Sequence, residues 1–126
     1  FIKENFRVVR TCDAKTAGCF ASENYISIDG KKSDEFRCTK KSYILADSSA
    51  ICMQPTYIGN SLFLVQVWID VNGPAEPNIG GRDMFFFWFV PSTDALLHGA
   101  ANNCVTTSNG AGCITKLQEN NWKMDY

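Results

Sequence analysis

The chain has 126 residues, of which 12 are basic and 13 are acidic, so its formal net charge is −1; 45% of its residues are hydrophobic. This size and composition are typical of one soluble globular domain, and we predict a single domain over residues 1–126. The basic residues form no stripe that would neutralise phosphates, which excludes nucleic acid as an expected partner.

An amphipathic helix is predicted at the start of the chain. Ile2, Phe6 and Val9 follow the spacing i, i+4, i+7 with charged residues between them, which places one apolar stripe on a helix over residues 1–10. No N-cap residue precedes the stripe, so we interpret it as the end of a longer helix. Residues 11–42 are polar and rich in turn-forming residues.

Four strands are predicted next. Residues 42–46 and 50–53 form two short strands around a turn, and the longer runs Leu62–Ile69 and Met84–Val90 are so continuously apolar that we expect burial of both their faces. The second long run contains FFFWF, which is either core or an aromatic platform for a partner. Because an exposed run of this kind would promote aggregation, the sequence favours burial.

The connection between the long runs, residues 70–83, is longer than a usual hairpin loop. It offers five oxygen-bearing side chains as candidate calcium ligands: Asp70, Asn72 and Asp83, with Glu76 and Asn78 completing the shell. Its D-x-N-G opening is similar to the start of an EF-hand loop, but Gly81 stands where that motif needs a glutamate. The alternative is structural: Asp and Asn side chains form turns, and Arg82 pairs with Asp70 or Asp83.

A short helix is predicted near the C-terminus. Within residues 112–122, Cys113 and Leu117 share one face, and Asn120-Asn121 supplies a left-handed C-cap. His98 is the one candidate general base of its type, but no nucleophile motif accompanies it. We therefore expect a loop histidine and no enzymatic activity.

The six cysteines predict three disulfides and an oxidising compartment. Six cysteines allow fifteen pairings, and proximity in the sequence favours Cys12–Cys19, Cys38–Cys52 and Cys104–Cys113. The predicted fold class is α+β: a truncated N-terminal helix packed on an antiparallel β-sheet, followed by a disulfide-bounded C-terminal region.

Four features together resemble the type IV pilin-like proteins. These are the helix that looks cut, a C-terminal cysteine pair, the pattern D-V-N-G-P-x-x-P-N-x-x-G-R-D-x-F-x-F from Asp70, and an ending of Cys113-Ile114-x-x-Leu117 followed by Asn121-Trp122-Lys123. The resemblance covers roughly residues 1–10, 43–90 and 104–126. The chain departs from the commonest pattern in having six cysteines rather than one C-terminal pair, and Asn-Asn where Asn-Gly is expected before Trp122.

The resemblance implies a structural function without catalysis. Residues 1–10 would be the remnant of a long hydrophobic helix that anchors the precursor in the inner membrane and later packs in a filament core. The subunit would assemble helically with itself and other pilins, through a dedicated assembly machinery, into an extracellular type IV pilus or a periplasmic type II secretion pseudopilus. A secreted calcium-dependent binding module with an aromatic surface is the alternative from another class.

Overall fold

A computed structural model describes residues 1–14, 18–21, 25–33, 38–59 and 62–125. These residues form two short α-helices, nine strands and one 3₁₀ turn. In chain order the elements are α1 (Ile2–Asn5), β1 (Val8–Cys12), β2 (Tyr25–Ser27), β3 (Lys32–Ser33), β4 (Ser42–Leu45), β5 (Ala50–Ile58), β6 (Leu62–Asp70), β7 (Ile79–Gly80), β8 (Met84–Val90), β9 (Ala95–Leu97), the 3₁₀ turn (Ala101–Asn103) and α2 (Cys113–Glu119).

The strands form one mixed sheet in the order β1-β4-β5-β6-β8-β7-β2-β3, with β9 also beside β8. Neighbouring strands in the series β1, β4, β5, β6 and β8 are antiparallel, and so are β8 and β9. Strand β7 runs parallel to both β8 and β2. The predicted α+β class with a helix packed on an antiparallel sheet is therefore wrong: the protein is mostly mixed β-sheet, and its α-helices have only four and seven residues.

The predicted helix over residues 1–10 ends early. Phe6 is already extended, and Val8–Cys12 is a strand that pairs with β4, with Cys12 opposite Ser42. Val9 is 61% exposed, so it does not continue the apolar stripe. The β-branched residues of this segment favour a strand, and pairing with β4 outweighs a helical pattern only three positions long.

The predicted central strands and the C-terminal helix are confirmed, except that β5 continues to Ile58, whereas the predicted strand ended at Met53. Strands β4, β5, β6 and β8 lie where the apolar runs placed them. Helix α2 ends as predicted, because Asn121 adopts a left-handed φ of 50° and the N–H of Trp122 donates to the carbonyl of Leu117. Burial of both faces holds for the second half of β6, but Leu62 and Phe63 are each 37% exposed.

The sheet has two unlike faces, since successive side chains along a strand point to opposite sides. On the first, which we call the covered face, Trp68, Met84 and Phe86 pack with residues from the segment between β1 and β4. The other members of this buried cluster are Cys12, Cys19, Phe20, Tyr25, Ala50 and Cys52. On the second, the open face, Ile2 of α1 packs on Ile51 and Val67. Helix α2 packs at one end of the sheet, against Phe85.

The three predicted disulfides are present: Cys12–Cys19, Cys38–Cys52 and Cys104–Cys113. The first two tie the covering segment to β1 and β5, and the third joins the residue after the 3₁₀ turn to the first residue of α2. These bonds indicate an oxidising location, extracellular or periplasmic. Within the described ranges, none of the helices has the length and apolar character needed to cross a membrane.

Candidate functional site

The open face carries a groove of about 700 Å³. Its floor consists of apolar side chains from five strands, and Phe1 and Phe6 also line it. The floor includes Ile51, Met53, Val65, Val67, Phe87 and Phe89, with Leu96 on β9. The described residues that line the groove carry no charged side chain, so its surface suits an apolar partner.

Strand register explains why these residues gather on one side. Val67 lies opposite Met53 on β5 and Phe87 on β8, and Phe89 lies opposite Leu96 on β9. Directly opposed residues share a face of the sheet, so each strand adds apolar side chains to the same groove. Leu97, the next residue of β9, pairs with Trp88 and points to the other side.

The aromatic run of β8 is divided between the two faces. Phe85 and Phe86 are buried, as predicted, whereas Phe87, Trp88 and Phe89 are only half-buried. Phe86 and Trp88 pack edge to face on the covered side, with ring centroids 5.0 Å apart. Phe87 and Phe89 instead form part of the groove.

The β5–β6 hairpin extends the apolar surface beyond the sheet. Strand β4 accompanies β5 only as far as Cys52, and β8 accompanies β6 only from Val65. Past these points Tyr57 and Phe63 pair on the side of the open face, with ring centroids 5.3 Å apart, and Tyr57 is 67% exposed. The end of the hairpin therefore presents apolar side chains beyond the neighbouring strands.

The connection after β6 contains a second feature, a buried carboxylate. Asp70 is fully buried; one of its oxygens accepts a hydrogen bond from the hydroxyl of Tyr25 and the other from the backbone N–H of Asn72. Burial raises the pKa of Asp70 to about 6, although the hydrogen bond from Tyr25 opposes the shift. Burial, together with that same hydrogen bond, also raises the pKa of Tyr25.

Asp83 closes the other end of the connection. Its Oδ1 accepts a hydrogen bond of 2.6 Å from the N–H of Ile79, and its carbonyl accepts one of 2.9 Å from the N–H of Val71. Burial raises the pKa of Asp83, although the backbone hydrogen bond from Ile79 and a side-chain hydrogen bond from Asn72 oppose the shift. The two ends of the connection are thus held together around Asp83.

Gly73 in the D-V-N-G turn is required by the fold. Its φ is +63°, and a Cβ atom there would lie 2.7 Å from the backbone oxygen of Ser48. Only glycine meets both conditions without strain. Part of the D-V-N-G pattern therefore serves the packing of the turn against the β4–β5 connection.

The structure brings three of the five candidate calcium ligands, Asp70, Asn72 and Asp83, into one cluster. Asn78 precedes the Ile79 that donates to Asp83, whereas Glu76 is exposed. The described ion pairs do not include Arg82 with Asp70 or Asp83, and Arg82 is exposed. Tyr25 was not among the expected residues, because it lies 45 positions from Asp70 and the sequence contains no signal for their contact.

His98 has a structural contact. Its Nδ1 is hydrogen-bonded to the hydroxyl of Thr115, which in turn donates to the carbonyl of Gly99. These bonds connect the segment after β9 to α2. This placement agrees with the expectation of a loop histidine.

Comparison with known proteins adds no relative: no family model, curated protein or solved structure matches this chain. The function is therefore argued from the open face and from the residues that carry the pilin-like resemblance.

Proposed function

We propose that this chain is the folded head of a structural subunit that self-assembles into a filament of the type IV pilin-like class, a pilus or a secretion pseudopilus. The observation that carries the proposal is the open face. Its groove takes an apolar α-helix of a filament subunit, so that head and helix pack together in the assembled fibre.

The energetics of the groove favour such a partner. Burial of apolar surface contributes roughly 25 cal/mol per Å², and a contiguous apolar area on one side of a sheet is a usual mark of an interaction surface. An amphipathic helix that lays its apolar stripe in a hydrophobic groove is a recurrent mode of recognition. Here α1 already uses this mode over one turn, because Ile2 is inserted against Ile51 and Val67.

The three disulfides support the same function. A filament subunit in an oxidising exterior has to keep its head folded without the help of cytoplasmic chaperones. Two of the disulfides lie among the residues that close the covered face, whereas the open face keeps an apolar groove. The proposal assigns the open side to the helix.

The test is a chimera assembled by living cells. The leader and hydrophobic helix of a pilin from a bacterium that makes type IV pili are joined before Phe1, and filaments sheared from the cells are assayed for the head. We expect the chimera in the sheared fraction. The critical variant is Leu96→Asp, which puts a charge into the groove, because Leu96 is 46% exposed and lines it.

Leu97→Asp is the matched control. Leu97 is the neighbouring residue on β9, is 45% exposed and lies on the other face. At equal cellular protein levels, Leu97→Asp should enter filaments and Leu96→Asp should not. A parent chimera that accumulates in the membrane but never reaches the sheared fraction would contradict the proposal and favour the secreted binding module.

A further inference from the structure

We propose that the helix bound in the groove carries acidic side chains along one flank, and that these contact a lysine margin formed by Lys3, Lys40 and Lys41. This inference rests on the proposed function, because it assigns the chemistry of the helix that the groove accepts. The apolar floor alone requires only an apolar stripe on that helix. The lysine margin adds a negative charge on one side of the stripe.

A second pocket adjoins the groove on the side of β4. Its volume is about 580 Å³, and it shares Phe1, Met53 and Pro55 with the groove. The rest of its lining consists of Ile2, Glu4, Tyr43 and the three residues of the lysine margin. Apolar surface is therefore continuous from the groove into a pocket that three lysines border.

The start of β4 and the short helix α1 bring the lysines to this margin. Lys40 and Lys41 immediately precede β4, beside the part of β5 that continues without β4. Lys3 belongs to α1 and follows the buried Ile2. Lysine side chains extend over apolar surface and keep their ammonium groups in water. A helix that covers Pro55 therefore passes beside these ammonium groups, because Pro55 lines the same pocket.

Two carboxylates neutralise part of this margin. The Oδ1 atom of Asp13 lies 3.6 Å from Nζ of Lys41, and Oε2 of Glu4 lies 3.3 Å from the N-terminal amine. None of the ion pairs among the described residues includes Lys3 or Lys40, and both of these lysines are exposed. The margin thus retains positive charge, which complements carboxylates on a partner.

The opposite margin of the groove differs in charge. It includes Leu96 of β9, and residues 91–99 around this strand contain one carboxylate, Asp94, and no lysine or arginine. An acidic flank faces the lysine margin in one direction of the helix and faces the Asp94 side in the reverse direction. Charge complementarity across an interface fixes orientation more than it adds affinity. The two margins therefore select one direction for the helix.

The test uses three designed amphipathic helices with the same apolar stripe and a flank of glutamate, glutamine or lysine. Fluorescence anisotropy measures the affinity of each peptide for the folded chain. One exposed ion pair changes an affinity by about twofold to fivefold, so three lysines should make the glutamate peptide bind about tenfold more tightly than the lysine peptide. This preference should shrink in about 1 M salt, where charges are screened beyond about 3 Å.

Lys3→Glu combined with Lys40→Glu tests the margin itself, and this double variant should prefer the lysine peptide. Lys32→Glu combined with Lys123→Glu is the matched control. Lys32 and Lys123 are also exposed, neither lines the groove or the adjoining pocket, and the net charge changes by the same amount. The control should keep the preference of the parent chain for the glutamate peptide.

The outcomes separate this inference from the proposed function. Binding of the glutamine peptide to the parent chain but not to Leu96→Asp supports the helix in the groove. Equal binding of the glutamate and lysine peptides would then overturn the acidic flank alone. If no peptide binds the parent chain, the proposed function fails and this inference fails with it. Should the Lys3→Glu, Lys40→Glu variant not fold, a preference in the parent chain that is unchanged by salt would overturn the inference.

Discussion

The two faces of the sheet are completed in different ways. The covered face is closed by the chain itself: Cys19, Phe20 and Tyr25, which lie between β1 and β4, pack on it, and two disulfides link Cys19 to β1 and Cys38 to β5. On the open face, Ile2 of α1 is buried against Ile51 and Val67 and α2 packs on Phe85 at one end of the sheet, and an apolar groove remains. Under the proposed function, the apolar residues of the covered face stabilise the domain and those of the groove receive a partner.

The largest expected effect is a difference in the free energy of unfolding between alanine substitutions on the two faces. Trp68 on the covered face is 5% exposed, so Trp68→Ala should cost about 3–5 kcal/mol in the free energy of unfolding. Phe89 on the open face is only half-buried, and Phe89→Ala should cost less than half as much. Urea denaturation of both variants measures this. Equal losses would mean that the open face contributes to the fold as the covered face does.

The next largest effect is expected from removal of the Cys38–Cys52 disulfide, which links Cys38 to β5. Replacing Cys38 and Cys52 by serine should lower the free energy of unfolding by about 2–4 kcal/mol, chiefly because the unfolded chain is then less restricted. It should also speed hydrogen exchange of the backbone amides in β5, the strand that carries Cys52. Replacing Cys104 and Cys113 is the control, since that bond holds α2 and should leave exchange in β5 unchanged. Equal exchange in the two variants would contradict the role given to the Cys38–Cys52 bond.

A smaller effect comes from the buried carboxylate behind the covered face. The pKa of Asp70 is about 6 when folded and near 3.8 when unfolded, so the folded chain binds more protons between these values. The contribution of Asp70 to the free energy of unfolding is therefore fully present below about pH 4. It falls by up to about 3 kcal/mol as the pH rises through about 6.

Asp70→Asn is the comparison for this pH dependence, because the variant has no carboxyl group to titrate at that position. Asp29 and Asp47 have lowered pKa values and act in the opposite sense, and they are common to both chains. Urea melts in calcium-free buffer at pH 4, 5, 6 and 7 should show a smaller fall with rising pH in Asp70→Asn. Parallel curves would refute the assignment to Asp70.

The smallest expected effect is on the stability of the groove variants. Leu96 and Leu97 are both nearly half-exposed, so Leu96→Asp and Leu97→Asp should each cost less than about 1 kcal/mol and agree within about 0.5 kcal/mol. Thermal melts check this. A much larger loss in Leu96→Asp would show that Leu96 supports the fold, and the filament assay would then need a milder substitution.

The features that could be predicted from the sequence are those set by local pattern. The apolar runs of β6 and β8, the short loops closed by each disulfide and the Asn-Asn end of α2 all depend on residues close together in the chain. Strand β7 has only two residues and exists because it pairs with β8 and β2, which no local pattern reveals.

The errors have the same physical origin. A stripe of three apolar residues predicted a helix, but Val8–Cys12 gains more from pairing with β4 than from continuing α1. The sequence placed the candidate ligands Asp70, Asn72 and Asp83 in one connection, but the hydrogen bond from Tyr25 to Asp70 joins residues 45 positions apart, which no local pattern reveals.

One measurement tests the central claim, that the open face accepts an apolar helix. A designed amphipathic helix is joined before Phe1, and the melting temperatures of the parent chain, Leu96→Asp and Leu97→Asp are measured with and without it. We predict that the added helix raises the melting temperature of the parent and of Leu97→Asp but not that of Leu96→Asp. The claim would be contradicted if the helix gave no gain in the parent, or the same gain in all three chains.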